Sequence, residues 1–188
     1  MSVQGLFERL VRALESAEVP YMVTGSYASS IHGMPRATRD IDIVIVPNRE
    51  QLTRFIEQLP STKYYASIDE AIEALRYRSQ FNVIDFETGW KIDLIIPKLT
   101  EFSEEEFERR RPIDLQGLQL YVASPEDIFL AKLRWAKMGE SERQIEDAAG
   151  VLSAQGAKLD LAYVERWVRK LELEAQYQMA RERALPLT

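Results

Sequence analysis

Two aspartates separated by one residue are the strongest candidates for chemistry in this sequence. Asp40 and Asp42 stand at the start of a largely β-branched run, residues 41–46, that predicts a strand. Side chains alternate along a strand, so both carboxylates lie on one face and repel each other unless a cation lies between them. Because Mg²⁺ binds carboxylate oxygens together with substrate phosphates, the pair predicts a divalent-metal site. The alternative is a solvent-facing pair that Arg36 and Arg39 neutralise.

A third carboxylate interrupts a later apolar run. Asp93 follows Lys91 and Ile92 in a second predicted strand. If this strand pairs beside residues 41–46, three carboxylates meet and can hold two metal ions about 4 Å apart, which suits in-line displacement at phosphorus. Asp93 on the solvent side of a hairpin is the structural alternative, and Asp85 on the preceding strand shows a similar pattern.

Gly25 and Ser26 lie between a predicted strand and a predicted helix start. Glycine lets the backbone approach a phosphate closely, and a helix N-terminus offers free N–H groups to an anion. The Ser26 hydroxyl can donate a further hydrogen bond, or it can simply cap the helix. The arginines before Asp40, including Arg39, would contact a triphosphate or only neutralise the aspartates.

The helices and strands that must position these residues are mixed in the first part of the chain, and only helices are predicted in the last part. Up to residue 123, hydrophobic periodicity predicts helices at 6–17, 27–32, 49–59, 68–77 and 103–110, and strands at 21–23, 41–46, 81–86, 90–96, 113–115 and 119–122. Ser103 and Glu106 form a capping-box pattern. Helices follow at 125–138, 141–153, 160–173 and 175–184, the first with Ser124 as N-cap and Pro125 after it.

These patterns predict an α/β (α+β) fold. A short mixed β-sheet core would occupy residues 1–123, and a helical C-terminal region, residues 124–188, would pack on it.

The composition excludes some classes of function. The chain has 188 residues and a net charge of −6, so a strongly basic surface for polyanions is missing. It has no cysteine and one histidine, His32, which we interpret as structural. No apolar run is long enough to span a membrane, and a cytoplasmic location is expected.

The motifs together resemble a known superfamily. Val23–Ser26 followed downstream by Asp40–Ile43 resembles the signature of the DNA polymerase β-like nucleotidyltransferases, with Asp93 similar to their third carboxylate. The string Thr38–Asp42, with Ser124–Asp127 leading to Lys132 and then Arg143–Asp147, is similar to the AbiEii-like branch. That branch includes nucleotidyltransferase toxins of some toxin–antitoxin pairs.

The resemblance implies roles for individual residues. Asp40 and Asp42 would ligate two Mg²⁺ ions, for which Mn²⁺ is a possible substitute, and Asp93 would ligate one of them and help to deprotonate the acceptor. Gly25 and Ser26 would hold the β- and γ-phosphates. Lys132 resembles a phosphate-contacting residue, although it also lies on a helix face that is basic. Asp147 resembles an acidic residue of uncertain role, or it pairs with Arg143 one turn earlier.

The implied function is Mg²⁺-dependent transfer of a nucleoside monophosphate from an NTP to a hydroxyl on RNA, protein or a small molecule. One alternative is a catalytically silent nucleotide-binding or regulatory member of a toxin–antitoxin pair, with an antitoxin as its protein partner. Another is a phosphohydrolase that uses the same carboxylates. None of these functions involves a membrane.

Overall fold

The computed structural model describes residues 3–33, 40–115 and 117–184. These residues form a mixed α/β fold with a helical C-terminal region, which confirms the predicted fold class. Arg36 and Arg39, expected near the substrate, lie outside the described residues. None of the described helices has the length and hydrophobicity that a membrane span requires.

The chain divides into two compact units. The first comprises Met1–Thr24 and Thr38–Val122, and the second comprises Gly25–Ala37 and Ala123–Thr188. The segment that follows the first strand therefore belongs to the helical unit, a connection that the sequence pattern did not reveal.

The strands of the first unit form one mixed sheet. In the described part of the chain they are β1 (Tyr21–Thr24), β2 (Asp40–Ile45), β3 (Tyr64–Ala66), β4 (Gln80–Asp85), β5 (Lys91–Ile95), β6 (Arg111–Leu115) and β7 (Leu118–Val122). Their order is β3-β4-β5-β2-β1-β7-β6. β2 runs parallel to β5 and β1 parallel to β7, while the other neighbours are antiparallel. The two aspartate-bearing strands β2 and β5 are therefore neighbours, which was the condition for Asp93 to join Asp40 and Asp42.

Helices make up most of the remaining structure. Within the described ranges they are α1 (Val3–Ser16), α2 (Gly25–His32), α3 (Arg49–Glu57), α4 (Ile68–Tyr77), α5 (Glu101–Glu108), α6 (Pro125–Gly139), α7 (Glu142–Gln155), α8 (Leu161–Lys170) and α9 (Glu174–Arg183). A short 3-10 helix, Gly156–Lys158, follows α7. The hydrophobic periodicity that predicted the first helix corresponds to its buried face, because Leu6, Leu10 and Leu14 are completely buried.

Two helix starts differ from the prediction. Thr100, not Ser103, caps α5, and its hydroxyl accepts a hydrogen bond from the Ser103 backbone N–H at 3.2 Å. Both residues carry a cap-competent hydroxyl, so the sequence pattern alone did not separate them. Ser26 is the second residue of α2 rather than its N-cap, since the helix begins at Gly25.

The predicted start of α6 is confirmed. Its first residues also form hydrogen bonds to α8. The Ser124 hydroxyl accepts a hydrogen bond from the Asp127 N–H at 3.2 Å. The Asp127 carboxyl is fully buried and accepts hydrogen bonds from the hydroxyls of Ser124 and Tyr163, both at 2.5 Å. Glu126, also buried, accepts from the N–H of Asp160, the N-cap of α8. The α6 start is therefore bonded directly to α8.

We expect Asp127→Ala to lower the free energy of unfolding by about 2–4 kcal/mol. The substitution leaves the buried Tyr163 hydroxyl without this acceptor and removes the partner of Ser124. Urea denaturation measures the loss. Asp69→Ala, at an exposed position in the first turn of α4, should cost less than about 1 kcal/mol. Equal losses in both variants would contradict the role of the buried network.

Candidate active site

The three predicted carboxylates lie on one face of two adjacent strands. Asp42 and Asp93 are register partners across the parallel pair β2–β5, and Asp40 is the register partner of Lys91. Since side chains alternate along a strand, all four charged side chains share this face. We refer to Asp40, Asp42 and Asp93 as the carboxylate cluster.

Burial increases across the cluster. Asp40 is exposed, Asp42 is half-buried and Asp93 is only 8% exposed. The Oδ2 atom of Asp93 lies 2.9 Å from the Lys91 Nζ atom, whereas its Oδ1 atom is buried and has no hydrogen-bond partner among the described residues. An uncompensated buried carboxylate oxygen is costly, so Asp93 has the strongest requirement for an additional cation or donor.

Lys91 interacts electrostatically with all three carboxylates of the cluster. Its hydrogen bond to Asp93 raises the pKa of Lys91 above the usual value, and the charges of Asp93, Asp40 and Asp42 raise it further, while partial burial opposes the rise. Lysine is protonated at neutral pH even at its ordinary pKa, so Lys91 carries a positive charge beside the cluster there. Sequence reasoning treated this strand only as the carrier of Asp93 and missed the role of its neighbour.

The donor types of the cluster fit a hard divalent cation. Carboxylate oxygens are the ligands that Mg²⁺ and Mn²⁺ prefer, and Asp93 Oδ1 is an oxygen that no residue in the described part of the chain hydrogen-bonds. Among the residues that the structure describes, however, no group of three or more His, Cys, Asp or Glu side chains is placed so that it could hold a metal ion.

Asp85, the alternative third carboxylate, occupies a different environment. Its Oδ2 atom accepts hydrogen bonds from the N–H and the hydroxyl of Thr88, and its Oδ1 atom pairs with Arg9 at 3.4 Å. The register partner of Asp93 on β4 is Asn82, three residues before Asp85. The register therefore favours Asp93 as the member that faces Asp42.

A second polar cluster lies within the helical unit. Lys132 on α6 donates hydrogen bonds from Nζ to Ser26 Oγ at 3.3 Å and to Asp147 Oδ2 at 2.8 Å. Lys132 is 4% exposed, unlike its helix neighbours Arg134 and Lys137, which are exposed. A buried lysine is rare unless it is paired. Lys132 is therefore not part of an exposed basic surface. The Asp147 carboxylate compensates its buried positive charge.

The residues around Lys132 have defined backbone positions. Gly25 opens α2 with a φ of 67°, a left-handed conformation that favours glycine. His32, at the other end of α2, contacts the Ala123 carbonyl through Nε2 at 2.9 Å. Gln155 donates to the His32 carbonyl at 2.6 Å. These contacts fit the structural interpretation of His32.

Several solved structures have a fold similar to that of this chain. The antibiotic-resistance factor ANT(2'')-Ia in solution is 15% identical with a TM-score of 0.56, over 93% of this chain and 96% of that chain. The lincosamide antibiotic adenylyltransferase LnuA, bound to lincomycin, is 14% identical with a TM-score of 0.54, over 82% and 98%. An antigenic nucleotidyltransferase-like protein from Paracoccidioides brasiliensis is 16% identical with a TM-score of 0.52, over 92% and 91%. At these identities the likeness shows the fold alone.

The class of protein follows from a family match rather than from these structures. Residues 3–183 match the family described as nucleotidyltransferase of unknown function (DUF6036), and the chain belongs to this family. No curated protein sequence matches the chain. The superfamily-level resemblance is confirmed, and the AbiEii-like branch assignment stays a prediction.

Proposed function

We propose that this chain transfers a nucleoside monophosphate from an NTP to a hydroxyl group in a Mg²⁺-dependent reaction. The observation that carries the proposal is the in-register placement of Asp42 and Asp93 on adjacent parallel strands, with Asp40 on the same face. Asp40, Asp42 and Asp93 would hold the metal, which when bound neutralises charge on the phosphates. The carboxylates are the groups of this chain that most closely fit such chemistry.

The other residues would bind phosphate and move a proton. Lys132 carries a buried positive charge that a phosphate can share with Asp147, and the Ser26 hydroxyl beside it can donate to a phosphate oxygen. Asp93 would accept the proton of the acceptor hydroxyl. The hydroxyl oxygen then bonds to the α-phosphorus as the bond to the β-phosphate oxygen breaks, and pyrophosphate leaves. Arg39 is a further candidate for triphosphate contact.

A small hydroxyl-bearing molecule is the acceptor class that we propose to test first. ANT(2'')-Ia has been solved with adenylyl-2''-tobramycin, and LnuA with lincomycin, so proteins of this fold act on or bind small molecules. The net charge of −6 also disfavours a long polyanion as the acceptor. RNA or protein acceptors, and an antitoxin partner, belong to the AbiEii-like alternative.

The test is transfer of label from [α-³²P]NTPs, with Mg²⁺, to small-molecule, RNA and protein acceptors, together with release of pyrophosphate. Asp42→Asn should lower the rate at least about 100-fold, because the substitution removes a charge needed at a metal-dependent site. Asp69→Asn is the matched control at an exposed position and should retain the rate. Full activity in Asp42→Asn would refute the proposal.

The same assay distinguishes the two alternative functions. Release of NMP and pyrophosphate without a labelled acceptor would indicate the phosphohydrolase. Nucleotide binding without turnover would indicate the catalytically silent binding or regulatory protein.

A further inference from the structure

A protein-supplied cation already occupies part of the carboxylate cluster. Lys91 Nζ lies 2.9 Å from Asp93 Oδ2, and Lys91 is the register partner of Asp40. Three carboxylates on one face repel each other in the absence of a counter-charge. The Lys91 ammonium reduces this repulsion, and it does so by taking an oxygen that a divalent cation would also use.

The exposure of the Lys91 side chain allows its ammonium group to move away from the Asp93 carboxylate. Its side chain is 42% exposed, whereas that of Asp93 is 11% exposed, so the ammonium can move into solvent while the carboxylate cannot. A lysine ammonium is a compact charge on a flexible four-carbon stem and regains its hydration easily. Because the pair is partly open to water, its energy is modest and a divalent ion can compete with it.

We propose that Lys91 is an internal counter-cation that holds Asp93 before metal binds and competes with the divalent cation for the Asp93 carboxylate. The inference rests on the proposed function, since it assumes that the cluster binds metal. Lys91 would then set the metal affinity of the site: its charge lowers the affinity, and its pairing keeps Asp93 in position in the metal-free chain. Lys91 is a positioning residue in this scheme and needs no contact with the nucleotide.

Mn²⁺ binding to the full chain without nucleotide tests this inference. The free Mn²⁺ signal in electron paramagnetic resonance gives the dissociation constant directly, without any turnover. Lys91→Met removes the charge and keeps most of the side-chain length, and should tighten Mn²⁺ binding about three- to tenfold. Lys91→Arg keeps the charge and should bind Mn²⁺ with an affinity close to that of the wild type.

Lys98→Met is the matched control. Lys98 is exposed and follows β5 at the end opposite Lys91, so the substitution changes the net charge equally but at a distance from the cluster. Thermal denaturation should also show a larger Mn²⁺-induced rise in Tm for Lys91→Met than for the wild type, because the metal then supplies the missing counter-charge. Unchanged affinity in Lys91→Met, or equal tightening in Lys98→Met, would overturn the inference.

The outcomes separate this inference from the proposed function. If the wild type binds Mn²⁺, Asp93→Asn does not, and Lys91→Met equals the wild type, only the competition by Lys91 fails. If neither the wild type nor Lys91→Met binds Mn²⁺ at millimolar concentration, the metal site fails and the proposed function fails with it. Binding seen only in Lys91→Met would support the competition strongly.

Discussion

Asp93→Asn is expected to reduce nucleotidyl transfer at least about 100-fold while changing the free energy of unfolding by less than about 1 kcal/mol. Asparagine keeps the shape of the side chain, but it cannot accept the acceptor proton and offers no full negative charge to a metal. The stability should change little because two effects oppose each other. The Lys91 ion pair is lost, and the repulsion from Asp40 and Asp42 is relieved.

Asp85→Asn supplies the contrasting result. Asp85 is 1% exposed and bonded to Thr88 and Arg9. Its substitution should cost stability, because a charged acceptor in a buried network is replaced, whereas the rate per folded molecule should stay unchanged. Initial rates of pyrophosphate release, together with urea denaturation, measure both quantities. If Asp85→Asn loses the rate and Asp93→Asn keeps it, the third carboxylate has been assigned to the wrong strand.

The strand position of each carboxylate in the cluster was predictable because it depends on local pattern, whereas the pairing of β2 with β5 was only a condition. Asp40 and Asp42 interrupt a β-branched run, and Asp93 interrupts another, so alternation alone placed each carboxylate on a strand face. The α6 start was predictable for the same reason, since Ser124 and Pro125 are adjacent signals of a helix N-terminus.

Contacts between distant residues were not predictable in this way. Lys132 and Asp147 lie on different helices, and the sequence offered Arg143 as an equally good partner for the aspartate. The three-residue strand β3 (Tyr64–Ala66) was missed, because three residues are too few for alternation to be recognised. Its position is set by pairing with β4, a tertiary effect that no local window contains.

Lys132→Met is expected to weaken NTP binding roughly tenfold to a hundredfold. A hydrogen bond from a charged donor to phosphate contributes about 1.5–3 kcal/mol, and the buried position of Lys132 limits competition from water. Calorimetry with a non-hydrolysable NTP and Mg²⁺ measures the change without an acceptor. Lys137→Met is the control, because Lys137 lies on the same helix but is exposed and binds the carbonyl of Glu172.

A second variant separates phosphate binding from structural support. Lys132→Met alone removes the cation that lies 2.8 Å from the largely buried Asp147 carboxylate, so the free energy of unfolding should also fall. Lys132→Met combined with Asp147→Asn removes both charges and should recover most of that stability. If Lys132 binds phosphate, NTP affinity stays low in the stable double variant. If the affinity recovers fully with the stability, the Lys132–Asp147 pair only supports the fold, because Asp147→Asn relieves repulsion of a phosphate but does not restore a contact with Lys132.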